Sequence, residues 1–394
     1  MTTRRELLES AAVWTGGAAL ARSQTAGTNQ EPAAATPGAP LVSVSDYRDA
    51  ARRRVPHAAF EYVEGGAADE ITLGWNEEAF RRLRILPRVL ADVSRLDTRV
   101  TLFGRELPFP ILLAPTGYNR TVHPDGELAV ARGAGLAQAT LVVSSSATTS
   151  VEDIARAATA PLWFQLYLQP ERDRSLALVR RAEAAGCTAL CLTVDSPVSG
   201  PQNRVARAGF VLPPGIDVPM NPLANRGRRA SDAGRDASFR VRYPTTWADV
   251  EWLRSATSLP VLLKGILDPA DAERAVSAGV HGIVVSNHGA RNLDTAPATI
   301  DVLPGIADRV ARRIPVLVDG GIRRGTDVLK ALALGANATL IGRPYLYGLG
   351  AAGADGVRHV IEILRAELEM AMALAGRASL EAIDRSLVSG PDCR

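Results

Sequence analysis

The segment VLVDGGIRRGTDVLKALALGANATLIGRP, residues 316–344, decides the reading of this chain. Val316–Asp319 is a short apolar run, and Gly320-Gly321 ends it. Thr326–Leu334 carries apolar residues at helical spacing, and the phrase ALGA at Ala333–Ala336 stops that helix with a glycine. Ala338–Ile341 is apolar again. The unit is strand, helix, strand, with strands apolar on both faces, as parallel strands under helices must be. Six further runs repeat the pattern upstream: Ile111–Ala114, Leu141–Ser144, Leu162–Leu166, Ala189–Thr193, Val261–Lys264 and Gly282–Ser286. Helical stretches at Glu127–Gln138, Arg172–Ala185 and Pro269–Ala278 separate several of them, and Ala184–Gly186 and Ser277–Gly279 repeat the glycine stop. Eight even units in about 230 residues predict an α/β chain folded as a (β/α)8 TIM barrel, with an N-terminal helical extension. A doubly wound sheet, the alternative, would not need eight even units.

Composition narrows the class. At 46% hydrophobic and 22% charged, the 394 residues suit a globular protein and exclude a disordered or fibrous one. No run reaches the roughly 18–20 apolar residues of a bilayer span. Cys187, Cys191 and Cys393 form no C-x-x-C and cannot all pair, which argues against a disulfide scaffold and a thiolate metal site. The net charge of +3 is concentrated in residues 221–242, where six Arg face two Asp. The rest is near neutral, so no broad basic face for nucleic acid is expected. The Arg-rich loop, about 215–243, reads as solvated and mobile. Lys264 and Lys330 are the only lysines among 45 Lys and Arg residues, so a lysine at a special place suggests a need for a compact ammonium.

Residues 1–40 differ in character from the rest of the chain. Arg4-Arg5 precedes a small-residue apolar stretch, Ala11–Ala21, ending in the A-x-A phrase Ala19-Leu20-Ala21, and an Ala/Pro/Thr-rich segment runs to about Pro40. This reads as a twin-arginine export signal and linker, giving an exported protein, periplasmic or extracellular; the alternative is a tail with a chance Arg pair in a cytoplasmic one. Residues 41–394 are then one barrel domain.

A barrel places its active residues at the C-terminal ends of its strands. Those positions hold Pro115-Thr116-Gly117, Ser144, Gln165 and Tyr167, Thr193 and Asp195, Lys264, Ser286-Asn287-His288, Asp319-Gly320-Gly321 and Gly342-Arg343. The glycines after strands seven and eight let backbone N–H groups approach a phosphate that Arg323 and Arg343 can neutralise. Lys264 ends strand five, where a buried ammonium needs a negatively charged partner. His288 stands after a strand end beside Asn287 and Arg291, as a base beside an anion-binding group. No second His or carboxylate lies at ligand spacing, so no metal is expected.

In order, FQLY (Phe164–Tyr167), LTVD (Leu192–Asp195), SNHGARNLD (Ser286–Asp294), DGGIRRG (Asp319–Gly325) and GRP (Gly342–Pro344) resemble the motifs of the FMN-dependent 2-hydroxy-acid oxidase/dehydrogenase family. That family includes glycolate oxidase, lactate oxidase and mandelate dehydrogenase. The resemblance spans about 350 residues, from Val44 to the end. It implies FMN as cofactor, with Pro115, Thr116, Gly117, Ser144, Gln165, Thr193, Lys264 and Ser286 around the flavin. Asp319, Gly320, Gly321, Arg323, Gly342 and Arg343 would lie at the ribityl phosphate. His288 would take the substrate hydroxyl proton while a hydride passes to the flavin, with Asp195 orienting it. Tyr62 and Arg291 would contact the carboxylate of a small 2-hydroxy acid, and Tyr167 its hydroxyl or carbonyl oxygen. The acceptor would be O2 or a quinone or dye, and the assembly a homo-oligomer, a tetramer by resemblance.

Two residues depart from the family pattern. Gln202 stands where an Arg is usual, removing one carboxylate-binding cation, and Arg204 is a candidate replacement two residues on. Gly117 stands where oxidases of the family usually carry Ala, which predicts a preference for a quinone or dye over O2. Ser146 leaves room where some members carry Trp, so larger substrates are expected to outperform glycolate and lactate. The alternatives are an FMN enzyme of this fold acting on a non-standard substrate, or a flavin-binding protein of low turnover.

Overall fold

The structure, a computed structural model, describes residues 40–221 and 243–390. The export segment, the Arg-rich part of the long loop and Cys393 lie outside the described residues. All eight expected strands occur: β1 Ile111–Leu113, β2 Leu141–Ser144, β3 Leu162–Leu166, β4 Leu190–Thr193, β5 Val261–Ile266, β6 Gly282–Val285, β7 Val316–Asp319 and β8 Ala338–Ile341. They pair in parallel in chain order, and β8 closes on β1 with Ile341 opposite Leu113. Helices cover the outside. Their apolar faces meet the outward residues of the strands in one continuous core that includes Phe164, Leu166, Leu263, Val285 and Val318.

Strand periodicity builds the interior. Leu112, Val142, Trp163, Cys191, Leu262, Val284, Leu317 and Leu340 point inward as one apolar layer. Two residues further along each strand, the same phase yields Ala114, Ser144, Gln165, Thr193, Lys264, Ser286, Asp319 and Gly342. The layer nearest the C-terminal mouth is therefore mostly polar, and it forms the floor of the site. The opposite end is sealed. A hairpin of residues Val100–Leu102 and Arg105–Leu107 sets Leu102 and Leu107 into the inner core, with the Phe103 ring 5.4 Å from that of Trp163.

Three helices precede the barrel: α1 Val44–Arg54, α2 His57–Glu64 and α3 Ile71–Arg82. The turn between α2 and α3 is tied to the mouth, Ala67 N donating to Ala290 O and Ala68 N to Pro201 O. Asp294, the end of the SNHGARNLD motif, accepts from the backbone N of Asp69 and Thr72 at the start of α3. It does the work of an N-cap supplied from another loop. The long C-terminal helical segment, Arg343–Leu374, starts one residue after Gly342 and breaks its helical geometry at Ala352 and Gly353.

Candidate active site

A lysine–carboxylate pair and a histidine–carboxylate pair share one serine at the mouth. Lys264 Nζ lies 3.0 Å from Asp319 Oδ2 and donates to Ser286 Oγ at 2.8 Å. The same Ser286 Oγ accepts from the backbone N of His288 at 3.0 Å. Lys264 and Asp319 are both buried. Burial disfavours the ammonium, but Asp319 and then Asp195 outweigh it and hold Lys264 protonated above the usual lysine range.

His288 Nδ1 lies 2.8 Å from Asp195 Oδ1, and its Nε2 is 3.2 Å from the Tyr167 hydroxyl. Burial works against ionisation of Asp195, yet His288, Lys264 and Ser196 together hold its pKa below the ordinary value. The carboxylate has space because β5 bulges after Lys264. Gly265 sits there at φ +117°, and a Cβ on it would meet Asp195 Cβ at 2.5 Å. His288 itself has φ +59°, in the left-handed region that a non-glycine residue enters at a cost of about 1–3 kcal/mol. Asn287 holds that turn. Its amide pairs reciprocally with the buried Asn76 amide, accepts from Ala290 N and donates to Pro297 O.

The remaining floor is neutral. Gln165 Oε1 accepts from Ser144 Oγ and Ser145 N, which leaves Nε2 to donate to Thr193 Oγ1 at 2.9 Å. Thr116 Oγ1 donates to Asn119 Oδ1 and lies against the Tyr345 hydroxyl, which donates to Ala114 O. Pro115 and Gly117 line the same wall.

At the far end, Gly320 and Gly321 have φ +95° and +80°, and a Cβ on Gly321 would collide with the Asn76 carbonyl. Arg323 is 3.0 Å from Glu77. Arg343 spends three nitrogens on the carbonyls of Val63, Gly289 and Gly65. Burial, and then the like charge of Arg291, pull its pKa down to about 10, so it stays charged at neutral pH. Near His288, the Arg291 guanidinium lies 4.8 Å over the Tyr62 ring, and its Nη1 donates to Tyr62 O and Gly65 O. Tyr62 stacks on Phe210 at 4.4 Å. Gln202 lines this end and has no side-chain partner among the described residues.

One cavity of about 1250 Å³, open to solvent, runs from Gln202 and Tyr62 to Arg323 and Arg343. Every sequence-predicted site residue lines it except Asp195 and Ser286, and these two touch it through His288 and Lys264. Arg204, the candidate replacement cation, does not reach it. Its Nε donates to Glu70 Oε1 at 2.7 Å and its Nη1 to Glu61 Oε2 at 3.2 Å, in a separate surface pocket with Arg207 and His57.

A floor of polar residues, a histidine held by a partly buried carboxylate, and a glycine-rich far end beside two arginines fit a flavin mononucleotide. The sequence profile of the FMN-dependent dehydrogenase family matches residues 51–390. The chain belongs to this family. It is 47% identical over 349 residues to a peroxisomal (S)-2-hydroxy-acid oxidase of Oryza sativa subsp. japonica, covering 88% of this chain and 95% of that one. It is 44% identical over 357 residues to an L-lactate oxidase of Nostoc sp., covering 88% and 98%. A crystal structure of mandelate oxidase with (S)-4-hydroxymandelic acid superposes with a TM-score of 0.83 at 45% identity, covering 87% of this chain and 97% of that one.

The family's cofactor fits the residues present. Asp319 Oδ1 is buried with no partner among the described residues, which suits a ligand donor there. A Cβ on Gly342 would meet no protein atom closer than 3.9 Å, so glycine keeps open space beside Ala114 and Thr116. One expectation changes in detail. The resemblance groups Asp319 with the phosphate contacts, but its carboxylate is bound to Lys264 and would repel a phosphate; its free oxygen suits a hydroxyl of the ribityl chain.

Sequence reasoning does not single out Asn292, whose Nδ2 donates to Asp195 O at 2.9 Å and to Ser196 Oγ at 2.7 Å. It lies inside the quoted SNHGARNLD motif, but no spacing rule links residue 292 to residues 195 and 196. Nor does it single out Glu127, a buried carboxylate that accepts from Asn119 N and Thr148 N and joins the loops after β1 and β2.

Proposed function

We propose that the protein oxidises (S)-2-hydroxy acids with an apolar or aromatic side chain to 2-oxo acids. The observation that carries this is the His288–Asp195 pair, set with Tyr167 and Arg291 along one cavity. Bound along the cavity, FMN would supply the two-electron acceptor for the hydride of the substrate's α-C–H bond. His288 Nε2 takes the hydroxyl proton, and Asp195 fixes Nδ1 as the protonated nitrogen and balances the imidazolium that forms. Tyr167 steadies the substrate oxygen, and Arg291 with Tyr62 holds the carboxylate. Lys264, protonated and buried, favours negative charge on the reduced ring. The names of the relatives support this substrate class, and the small Ser146 on the cavity wall supports the larger side chain.

The test is direct. The purified protein is expected to be yellow and to release FMN on denaturation. Its visible spectrum is expected to bleach without oxygen on adding (S)-mandelate, and far more slowly with glycolate. No bleaching by any of a panel of 2-hydroxy acids would contradict the reading.

The electron acceptor is O2 or a quinone or dye. The glycine at 117 has a second cause besides access to the cofactor: a Cβ there would meet Ser146 Cβ at 2.9 Å and Ser146 O at 3.0 Å. Stopped-flow reoxidation by air against a quinone separates these roles. The protein is also proposed to be exported and to assemble as a tetramer. Val89 at 82% and Leu90 at 102% exposure, with Leu374 at 73%, support burial against a partner. Light scattering, and cell fractionation after replacing Arg4-Arg5 by lysines, test the two.

A further inference from the structure

Four cations stand along the cavity, and their commitments differ. Lys264 is neutralised by Asp319. Arg323 lies against Glu77, toward the glycine-rich end. Arg343 has Nε and both Nη atoms on backbone carbonyls. At the substrate end, Arg291 keeps Nε and Nη2 without protein partners among the described residues. Arg204 is clamped outside by Glu70 and Glu61. Among the described residues, the substrate end of the cavity therefore offers one available guanidinium, on Arg291, and one unpaired neutral amide, on Gln202.

That pair answers a carboxylate only in part. A carboxylate presents acceptors only, so it uses the Gln202 N–H groups and leaves the Gln202 carbonyl oxygen unanswered or repelled. A carboxamide presents a carbonyl acceptor and two N–H donors. Its oxygen can take Arg291, while its N–H and the Gln202 Oε1 complete a second hydrogen bond. It also brings no charge needing a second cation. We propose that this site oxidises neutral 2-hydroxy carboxamides, R–CH(OH)–C(O)NH2, alongside 2-hydroxy acids. The proposal rests on the function proposed for the same site. The chemistry is the same: the α-C–H bond breaks and its electron pair leaves as hydride to FMN, and the O–H proton goes to His288. A C=O bond forms, the C–N bond is untouched, and the two electrons pass on to O2 or a quinone. The product is a 2-oxo carboxamide.

The experiment compares 2-hydroxy-phenylacetamide with mandelate by anaerobic bleaching of the holoenzyme. It also compares the dissociation constants of phenylacetamide and phenylacetate, which lack the hydroxyl and cannot react, by their perturbation of the bound flavin's visible spectrum. The acid-to-amide ratio of kcat/KM is expected within about tenfold in the wild type, and Gln202→Arg is expected to raise it at least about tenfold, since it adds a bidentate, charge-assisted pair for the acid alone. The ratio of dissociation constants should move the same way, and Arg204→Ala should move neither. Oxidation of mandelate with the amide at least about a thousandfold slower, beyond what one lost polar contact explains, would overturn the proposal and leave the function standing. So would a ratio that follows Arg204→Ala and ignores Gln202→Arg. Bleaching by neither compound, nor by any 2-hydroxy acid, would remove the function itself.

Discussion

The pairs Lys264–Asp319 and His288–Asp195 meet at Ser286 but carry opposite duties. Lys264 and Asp319 are both buried, 3.0 Å apart, on barrel strands β5 and β7, which flank β6. Against that burial, Asp319 and Asp195 hold Lys264 protonated above the usual lysine range. His288 has 22% of its side chain exposed at the cavity, with Asp195 at 13% behind it. In the proposed reaction it gains and loses a proton during turnover. A fixed cation suits a place where negative charge always appears, and a titratable ring suits one where a proton arrives and leaves. The fold separates them through backbone. Lys264 is on a strand with its side chain locked by the barrel's inward phase, whereas His288 is in a left-handed turn beyond the strand.

The comparison breaks most visibly at the fixed pair. Lys264→Met leaves Asp319 buried and uncompensated, which is expected to cost about 3–5 kcal/mol in urea unfolding together with the bound FMN. Lys264→Met with Asp319→Leu should recover much of the stability but not the flavin. Asp195→Asn should act on the other pair only: FMN is retained, and anaerobic flavin reduction slows by on the order of 10²-fold as His288 loses its orienting charge. Gly342→Ala adds one methyl to space that no protein atom fills, and a loss of about tenfold in FMN affinity, roughly the cost of crowding one methyl-sized contact, is expected by fluorescence titration.

The smallest effect is on stability against pH. Folding raises the pKa of Lys264, so its contribution is full below the ordinary lysine value near 10.4 and fades as pH rises through the higher folded value. Folding lowers that of Asp195, so its contribution is full above about 3.9 and fades as pH falls through the lower folded value. Urea midpoints should therefore show no contribution to slope from Lys264 or Asp195 between about pH 5 and 9. Asp195→Asn should shallow the acid limb and, because Asp195 also helps raise the Lys264 pKa, bring the start of the alkaline limb to slightly lower pH.

Much of this is legible in the amino-acid sequence alone. The barrel follows from eight apolar runs, and the strands begin and end within two residues of them. Strand ends also supply the site, because a barrel leaves its loops only one productive face. The side-chain phase needs the fold: Lys264 and Asp319 are 55 positions apart, and only closure of the sheet brings them together. Arg204 shows the limit most clearly. Two residues from Gln202 it reads as a substitute cation, but a short helix, Asn203–Arg207, turns it toward Glu61 and Glu70 on the other side of the loop.

The most direct test of the division of labour is His288→Ala, purified with its FMN and mixed anaerobically with (S)-mandelate. A yellow protein with wild-type FMN content is expected, its flavin bleaching about 10²–10⁴-fold more slowly than wild type. Bleaching at the wild-type rate would show that the proton goes elsewhere and that the exposed pair is not the working one.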